Sequence, residues 1–274
     1  MLAKVGTRGA DAVIADLEDA VAPIRKSEAR ATVAAWLADL RDPCFEVWVR
    51  INSTPDLRDA DATVAESEGL FGLVVPKVQG AEELFELSTR IGSIEAATGL
   101  EVGRTRLIPI IETARAMRSV DDIAAAPRVY QLMIGEVDLG AELGVDPAET
   151  AAFIPLRTEI VVASAAAGIA PPLGPVLADF HDLEELSADT GRLARRGFGS
   201  RPAIHPAQVA AINAAFTPTP DQLARAQRLV EAYEAALAAG QGAVTDEDGR
   251  MVDEAVVRVA RRVIDAARRA VTDR

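Results

Sequence analysis

Two carboxylates stand where apolar runs end. Glu112 follows Leu107-Ile108-Pro109-Ile110-Ile111, and Asp138 follows Gln131-Leu132-Met133-Ile134 after Gly135, Glu136 and Val137. If the two runs are neighbouring strands, these acids converge and repel unless a proton or a cation lies between them. A hard divalent ion such as Mg²⁺ takes one or two carboxylates and fills its shell with water and substrate oxygens, which makes the pair a candidate magnesium site. Solvated or helix-capping acids satisfy the same spacing. Arg50 ends the run Glu46-Val47-Trp48-Val49. Its planar fork suits a substrate carboxylate, or a rim salt bridge to Asp16, Glu18 or Asp19 behind Ala12-Val13-Ile14-Ala15. That acidic cluster can accept hydrogen bonds from metal-bound water, or cap and pair with Arg25, Lys26 and Arg30.

Lys77, behind Leu73-Val74-Val75-Pro76, shares the chain with only Lys4 and Lys26 as other lysines. It could form a Schiff base if burial lowered its pKa, or pair with a rim carboxylate or an anionic ligand. His205 follows Ala203-Ile204 and could be a base or a hydrogen-bonded structural residue. With His181 as the only other histidine, a histidine metal site is not expected.

These residues need a scaffold that gathers strand ends. Seven runs read as strands: the six above that end at Asp16, Arg50, Lys77, Glu112, Gly135 and His205, and a weaker one around 169–176. Helical stretches at 27–40, 81–97, 114–126, 155–167 and 183–196 lie between them, with Gly168 and Gly197 as left-handed caps behind two. The alternation is that of βαβ units and a parallel sheet. Polar side chains at one end of successive strands are what a (β/α)8 (TIM) barrel uses for its active site, so an α/β enzyme of TIM-barrel type is expected. The 274 residues suit one barrel of roughly 250 residues with an appendage. The barrel domain is placed at 1–217 and a C-terminal helical segment at 218–274. There Thr219 can cap a helix over 221–239, with Pro220 first and Gln222 reaching back. Gly240-Gln241-Gly242 ends it, Asp248-Gly249 makes a tight turn, and a last helix runs to about 270.

The net charge of −13 opposes a broad nucleic-acid or anionic-membrane surface. Cys44 is the single cysteine, so no disulfide forms within the chain and a cytoplasmic setting is expected. No apolar run is read as reaching the roughly 18 residues of a membrane span.

Taken in order, Asp16-Leu17-Glu18-Asp19-Ala20-Val21 with Lys26 and Ala29-Arg30, Val49-Arg50-Ile51-Asn52, Val75-Pro76-Lys77, Ile111-Glu112-Thr113-Ala114, Gly135 with Asp138-Leu139, Ile204-His205-Pro206 with Gln208, and Met251-Val252-Asp253 resemble the citrate lyase β-subunit-like branch of the HpcH/HpaI aldolase superfamily. The resemblance implies a homo-oligomeric TIM barrel, a trimer or hexamer, that uses Mg²⁺ to make or break a carbon-carbon bond in acyl-CoA thioesters of hydroxy-dicarboxylic acids, with a small 2-oxo acid as the other partner. It implies that Glu112 and Asp138 bind the metal, that Arg50 and Glu112 face the substrate, and that Asp253 is a catalytic acid supplied across a subunit interface. Capping of the last helix is an equal reading of Asp253. A malyl-CoA-type thioesterase, or a non-catalytic subunit of a larger lyase complex, are the alternatives. Two departures bear on substrate preference. Glu136-Val137-Asp138 stands where Glu-Asp is usual, and Pro171-Pro172-Leu173-Gly174 stands where relatives carry an aspartate. Seven strands also fall one short of a closed barrel. The expectation is that Met1 is internal to a longer product, with roughly 15 to 20 residues ahead of it that hold the first strand and its loop.

Overall fold

The computed structural model describes residues 2–41, 43–146 and 149–272. It falls into two compact units, one up to Ile212 and one from Asn213, where sequence puts the boundary after 217. Met1 lies outside the described residues.

The first unit is built on a parallel sheet of six strands paired in sequence order: β1 (Ala12–Asp16), β2 (Glu46–Arg50), β3 (Gly72–Val75), β4 (Arg106–Ile111), β5 (Gln131–Ile134) and β6 (Ala170–Leu173). Asp16 pairs with Arg50 and Arg50 with Val74. This register brings the ends of β1, β2 and β3 level. The ladder continues past the strand ends, where Leu17 N–H donates to Arg50 O, Ile51 N–H to Val74 O and Gly135 N–H to Ile111 O. Alternation places Trp48, Val74, Ile108, Ile110 and Leu173 in one apolar cluster, with Ile14, Phe71, Tyr130 and Met133 against it. Helices cover the other side: α1 (Lys26–Asp39), α2 (Pro55–Asp61), α3 (Ala81–Thr98), α4 (Ala114–Arg118), α5 (Val120–Ala124), α6 (Glu136–Leu143), α7 (Ile154–Ala167) and α8 (Leu183–Arg195). The amphipathic pattern is plain in α3, whose Leu84, Leu87 and Ile91 are buried.

Three expectations need correction. The run ending at His205 is not a strand. Pairing beyond β6 is a single bridge from Leu173 to Ser200, so the described residues form an open six-stranded arc. Pro202 and Pro206 remove donors on either side of Ala203-Ile204. The N–H groups of Ile204 and His205 instead donate to the Gln208 side chain. The helix expected over 114–126 is two short ones, broken at Ser119 (φ −121°, ψ 16°). Finally, Thr150–Ala167, a 3-10 turn continued by α7, is by length and composition apolar enough to cross a membrane, with mean hydropathy 1.3. It packs on α5, β5 and β6, and its Arg157 is buried against Glu136.

The second unit holds α10 (Pro220–Ala238), the antiparallel pair β7 (Val244–Thr245) and β8 (Met251–Val252), and α11 (Glu254–Thr272); α9 (Val209–Phe216) leads into it. Thr219 and Gln222 form the reciprocal cap expected from sequence. Gly249, at φ 76°, makes the turn between β7 and β8. Tyr233, Val252 and Val257 are its buried core, packed by Leu229, Val230 and Val244.

At the N-terminal end of the sheet a buried ion pair fastens α3 to the segments entering β4 and β5. Glu95, fully buried, accepts from the N–H groups of Gly103 (2.7 Å) and Thr105 (2.8 Å) and from both terminal nitrogens of Arg128 (2.8 and 3.0 Å). Burial alone would push the Glu95 carboxyl up; the Arg128 fork and the two N–H groups outweigh it and hold it at about 2, against an ordinary 4.5. Glu95→Ala strands a buried guanidinium and is expected to cost about 3–5 kcal/mol, read as a fall in melting temperature. Because the folded pKa is depressed, this stabilisation is present above about pH 4.5 and is lost as pH falls towards 2. Glu95→Gln should flatten that part of the acid-denaturation curve.

Candidate active site

The ends of β1 to β5 deliver their polar side chains to one place. Arg50 Nε and Nη2 donate to the two oxygens of Asp16 at 2.8 and 2.6 Å, while Nη1 lies 3.1 Å from Glu18 and 3.5 Å from Asp19. The rim salt bridge weighed in the sequence is therefore formed, and the guanidinium stays about a quarter exposed. Burial would raise Asp16, but the Arg50 fork and the N–H groups of Glu18 and Ala20 hold it below the ordinary carboxylate range. Glu18 is buried and its pKa is raised by burial, with Arg50 pulling against the rise and Asp19 adding to it. Its Oε1 makes no hydrogen bond among the described residues, although Lys77 Nζ is 3.4 Å away.

The cations expected to pair with this cluster do other work. Arg25 bonds Glu28, and Arg30 bonds Asp61. Lys26 Nζ donates to the carbonyls of Leu17 and Glu18 at 2.8 and 2.6 Å, which pins the loop behind β1. Asp61 is fully buried and accepts from Arg30 and from the backbone and side chain of Asn52, whose Nδ2 also reaches Leu17 O. Sequence reading missed Asp61, since nothing at its position marks it among the neighbouring aspartates.

Glu112, 6 % exposed, accepts a 2.6 Å hydrogen bond from the backbone N–H of Lys77. Burial, with the charges of Asp138 and Glu18, pushes its carboxyl up to about 7; the Lys77 N–H opposes the rise. A side chain on Gly135 would begin 2.5 Å from Glu112 Cβ and 2.6 Å from its Oε2, so only glycine fits there. Asp138 lies in the exposed first turn of α6, while Glu136 two residues earlier turns to Arg157 at 2.7 Å. Lys77, 40 % exposed, is held charged: burial would lower its ammonium, but Glu18, Asp19 and Asp138 outweigh that and raise it. An amine Schiff-base nucleophile needs the opposite shift. His205 accepts from Ala207 N–H and stacks on Phe180 at 4.7 Å, the structural reading of that residue. Asp253 lies in the second unit, where its carboxylate accepts from Ala255 and Val256 N–H and caps α11.

The carboxylate set suits a cation. Among the described residues no group of three or more acids, histidines or cysteines can enclose a metal. A site here must therefore be a two-carboxylate one completed by water and substrate. The raised Glu112 is the mark of negative charge that the protein's own groups do not fully offset, and Glu18 Oε1 meets only Lys77 Nζ, at 3.4 Å.

Fold and site together define an α/β enzyme of the TIM-barrel type with an acidic mouth. Residues 1–206 match the HpcH/HpaI aldolase/citrate lyase family, and the chain belongs to it. It is 33 % identical to an L-malyl-CoA/beta-methylmalyl-CoA lyase of Cereibacter sphaeroides, over 96 % of this chain and 89 % of that protein. It is 30 % identical to the mitochondrial citramalyl-CoA lyase of Rattus norvegicus, over 96 % and 81 %. The structure of CitE from Mycobacterium tuberculosis, in complex with magnesium, acetoacetate and coenzyme A, superposes with a TM-score of 0.78 at 28 % identity, covering 97 % of this chain and 94 % of that one. The chain is thus an enzyme of a lyase family.

In metal-free protein Glu112 titrates at about 7, against an ordinary 4.5. Between these values the folded state keeps a proton that the unfolded chain has released, so stability from this residue falls as pH rises and levels off above about 7. In EDTA at pH 8, Glu112→Gln is expected to be the more stable protein, by on the order of 2 kcal/mol. Below about pH 4 the melting temperatures of the two should coincide.

Proposed function

We propose that this protein is a Mg²⁺-dependent carbon-carbon lyase or synthase acting on a hydroxy-dicarboxylic acyl-CoA thioester of the malyl-, citramalyl- or citryl-CoA kind. The observation that carries the reading is Glu112, buried and pushed to about 7 beside Asp138. The names of the relatives and the magnesium in the CitE structure support it. Glu112 and Asp138 would hold the ion, which would polarise the oxygen of the 2-oxo or hydroxy acid. Arg50, held by Asp16 and about a quarter exposed, would offer its guanidinium to a substrate carboxylate in exchange for Glu18 and Asp19 at Nη1. In the cleavage direction the hydroxyl gives its proton to solvent water as the bond between the hydroxyl-bearing carbon and the carbon next to the thioester breaks, and a C=O forms at the former. The electron pair passes to the acyl-CoA fragment as an enolate, which takes up a proton. Asp253 of a neighbouring subunit in a homo-oligomer would make that transfer.

Malyl-CoA with Mg²⁺ is expected to give glyoxylate and acetyl-CoA; malate with free CoA would mean a thioesterase instead. EDTA should abolish turnover, Mg²⁺ or Mn²⁺ should restore it, and Asp138→Ala should lower it by about 10²-fold or more without unfolding. No turnover of any free CoA thioester by the purified chain would favour a subunit role.

A mixed-subunit experiment checks Asp253. Inactive Asp253→Ala and inactive Glu112→Ala subunits, dissociated and reassembled together, should regain activity, since some sites then hold both intact residues. A verified mixed oligomer without recovery would count against a shared site.

A further inference from the structure

Lys77 is one of two non-glycine residues in the left-handed region among the described residues, at φ 54°. The conformation costs a lysine backbone energy that glycine or asparagine would not incur. The turn is nevertheless fastened on both sides. Val78 next to it is fully buried, Gln79 Nε2 donates to Lys77 O at 3.1 Å, and Gln79 N–H donates to Glu83 Oε1 at 3.2 Å. What the conformation delivers is direction: the Lys77 N–H, behind β3, meets Oε1 of Glu112, the residue just past β4, at 2.6 Å. The other oxygen is left over Gly135, the residue that opens α6, whose first turn carries Asp138. Strained residues of this sort are sustained where the surrounding structure over-determines them, commonly at functional sites.

The geometry points to Lys77 as a positioning residue that acts through its backbone: its left-handed N–H holds one oxygen of Glu112 and leaves the other facing Gly135 and the start of α6, the helix that carries Asp138, and so sets up the metal-binding edge. This rests on the metal reading of Glu112 and Asp138. The role belongs to the conformation at position 77, not to the ammonium, and the two can be separated by substitution. Lys77→Gly and Lys77→Asn keep the N–H and favour positive φ, Lys77→Met keeps the lysine's backbone preferences without its charge, and Lys77→Val disfavours the conformation.

The test is Mn²⁺ affinity of the full, metal-stripped chain, read by the electron paramagnetic resonance of free Mn²⁺. The Gly, Asn and Met variants should bind within about threefold of the parent, and Lys77→Val should bind about tenfold more weakly, equivalent to about 1.4 kcal/mol. Equal weakening of all four would assign the role to the ammonium, and equal binding by all four would remove the role; either overturns the proposal. A second measurement does not depend on any Lys77 variant folding. Protein labelled with ¹⁵N-lysine has three lysine backbone amides, from Lys4, Lys26 and Lys77. One should lie well downfield, move on addition of Mg²⁺, and return towards ordinary values in Glu112→Gln. If no lysine amide responds to Glu112→Gln, the hydrogen bond is absent and the proposal fails. A parent protein that binds no Mn²⁺ but shows the amide response would sink the metal reading instead.

Discussion

Negative charge crowded at the strand ends is the constraint that orders the first unit. β1, β4 and the turn behind β5 bring Asp16, Glu18, Glu112 and Asp138 towards one mouth, and like charges so placed cannot all stay ionised without compensation. The compensation is graded. Asp16 has a bidentate arginine, Glu18 has one nitrogen of that arginine and a lysine at 3.4 Å, and Glu112 has a backbone N–H. Across the sheet from β1 to β5 the protein supplies less and less positive charge. Under the proposed function, the remaining deficit at Glu112 and Asp138 is the one that a bound cation would meet.

Such crowding is sustained only on a stiff frame. The frame here is mostly backbone, because ladder hydrogen bonds run one residue past β1, β2 and β5 and hold the turns behind them to their neighbours. Lys26 adds to it by bonding two carbonyls, so a cation that looked like a partner for the acids acts as a clamp on the loop that carries them. Asn52 and Asp61 do the same behind β2. Asp61, the buried charge behind β2, is paired with Arg30, as a charge in a poorly solvated place needs to be.

Much of this was legible because strands buried on both faces read as apolar runs, and the first polar residue after such a run marks the end that carries chemistry. That logic located Asp16, Arg50, Lys77, Glu112 and Asp138. It failed at Ala203-Ile204, where an apolar pair before a histidine looks like one more strand end, but flanking prolines and the reach of Gln208 decide the backbone. It could not separate α4 from α5 either, since the break at Ser119 comes from backbone angles that no residue type there demands. Partner choice was the least legible. Arg30 could pair with any of several acids, and only the packing of α1 brings it to Asp61.

Glu136 shows how the crowding is limited. The acid that resemblance would put directly before Asp138 stands one residue earlier, and Val137, 68 % exposed, occupies the vacated position. A one-residue step on the first turn of a helix swings a side chain by about 100°, enough to take Glu136 to Arg157 on α7. Arg157 is buried and lies near Asp189, which in turn bonds buried Arg201. The charge of Glu136 is thus met by Arg157, while the charges that raise Glu112 most are those of Asp138 and Glu18. The same pairing anchors the first turn of α6 from behind while Gly135 N–H ties its start to Ile111. Asp138 follows these two anchors on the same first turn, so the step in sequence that takes a charge to Arg157 also ties down the start of the helix that carries Asp138.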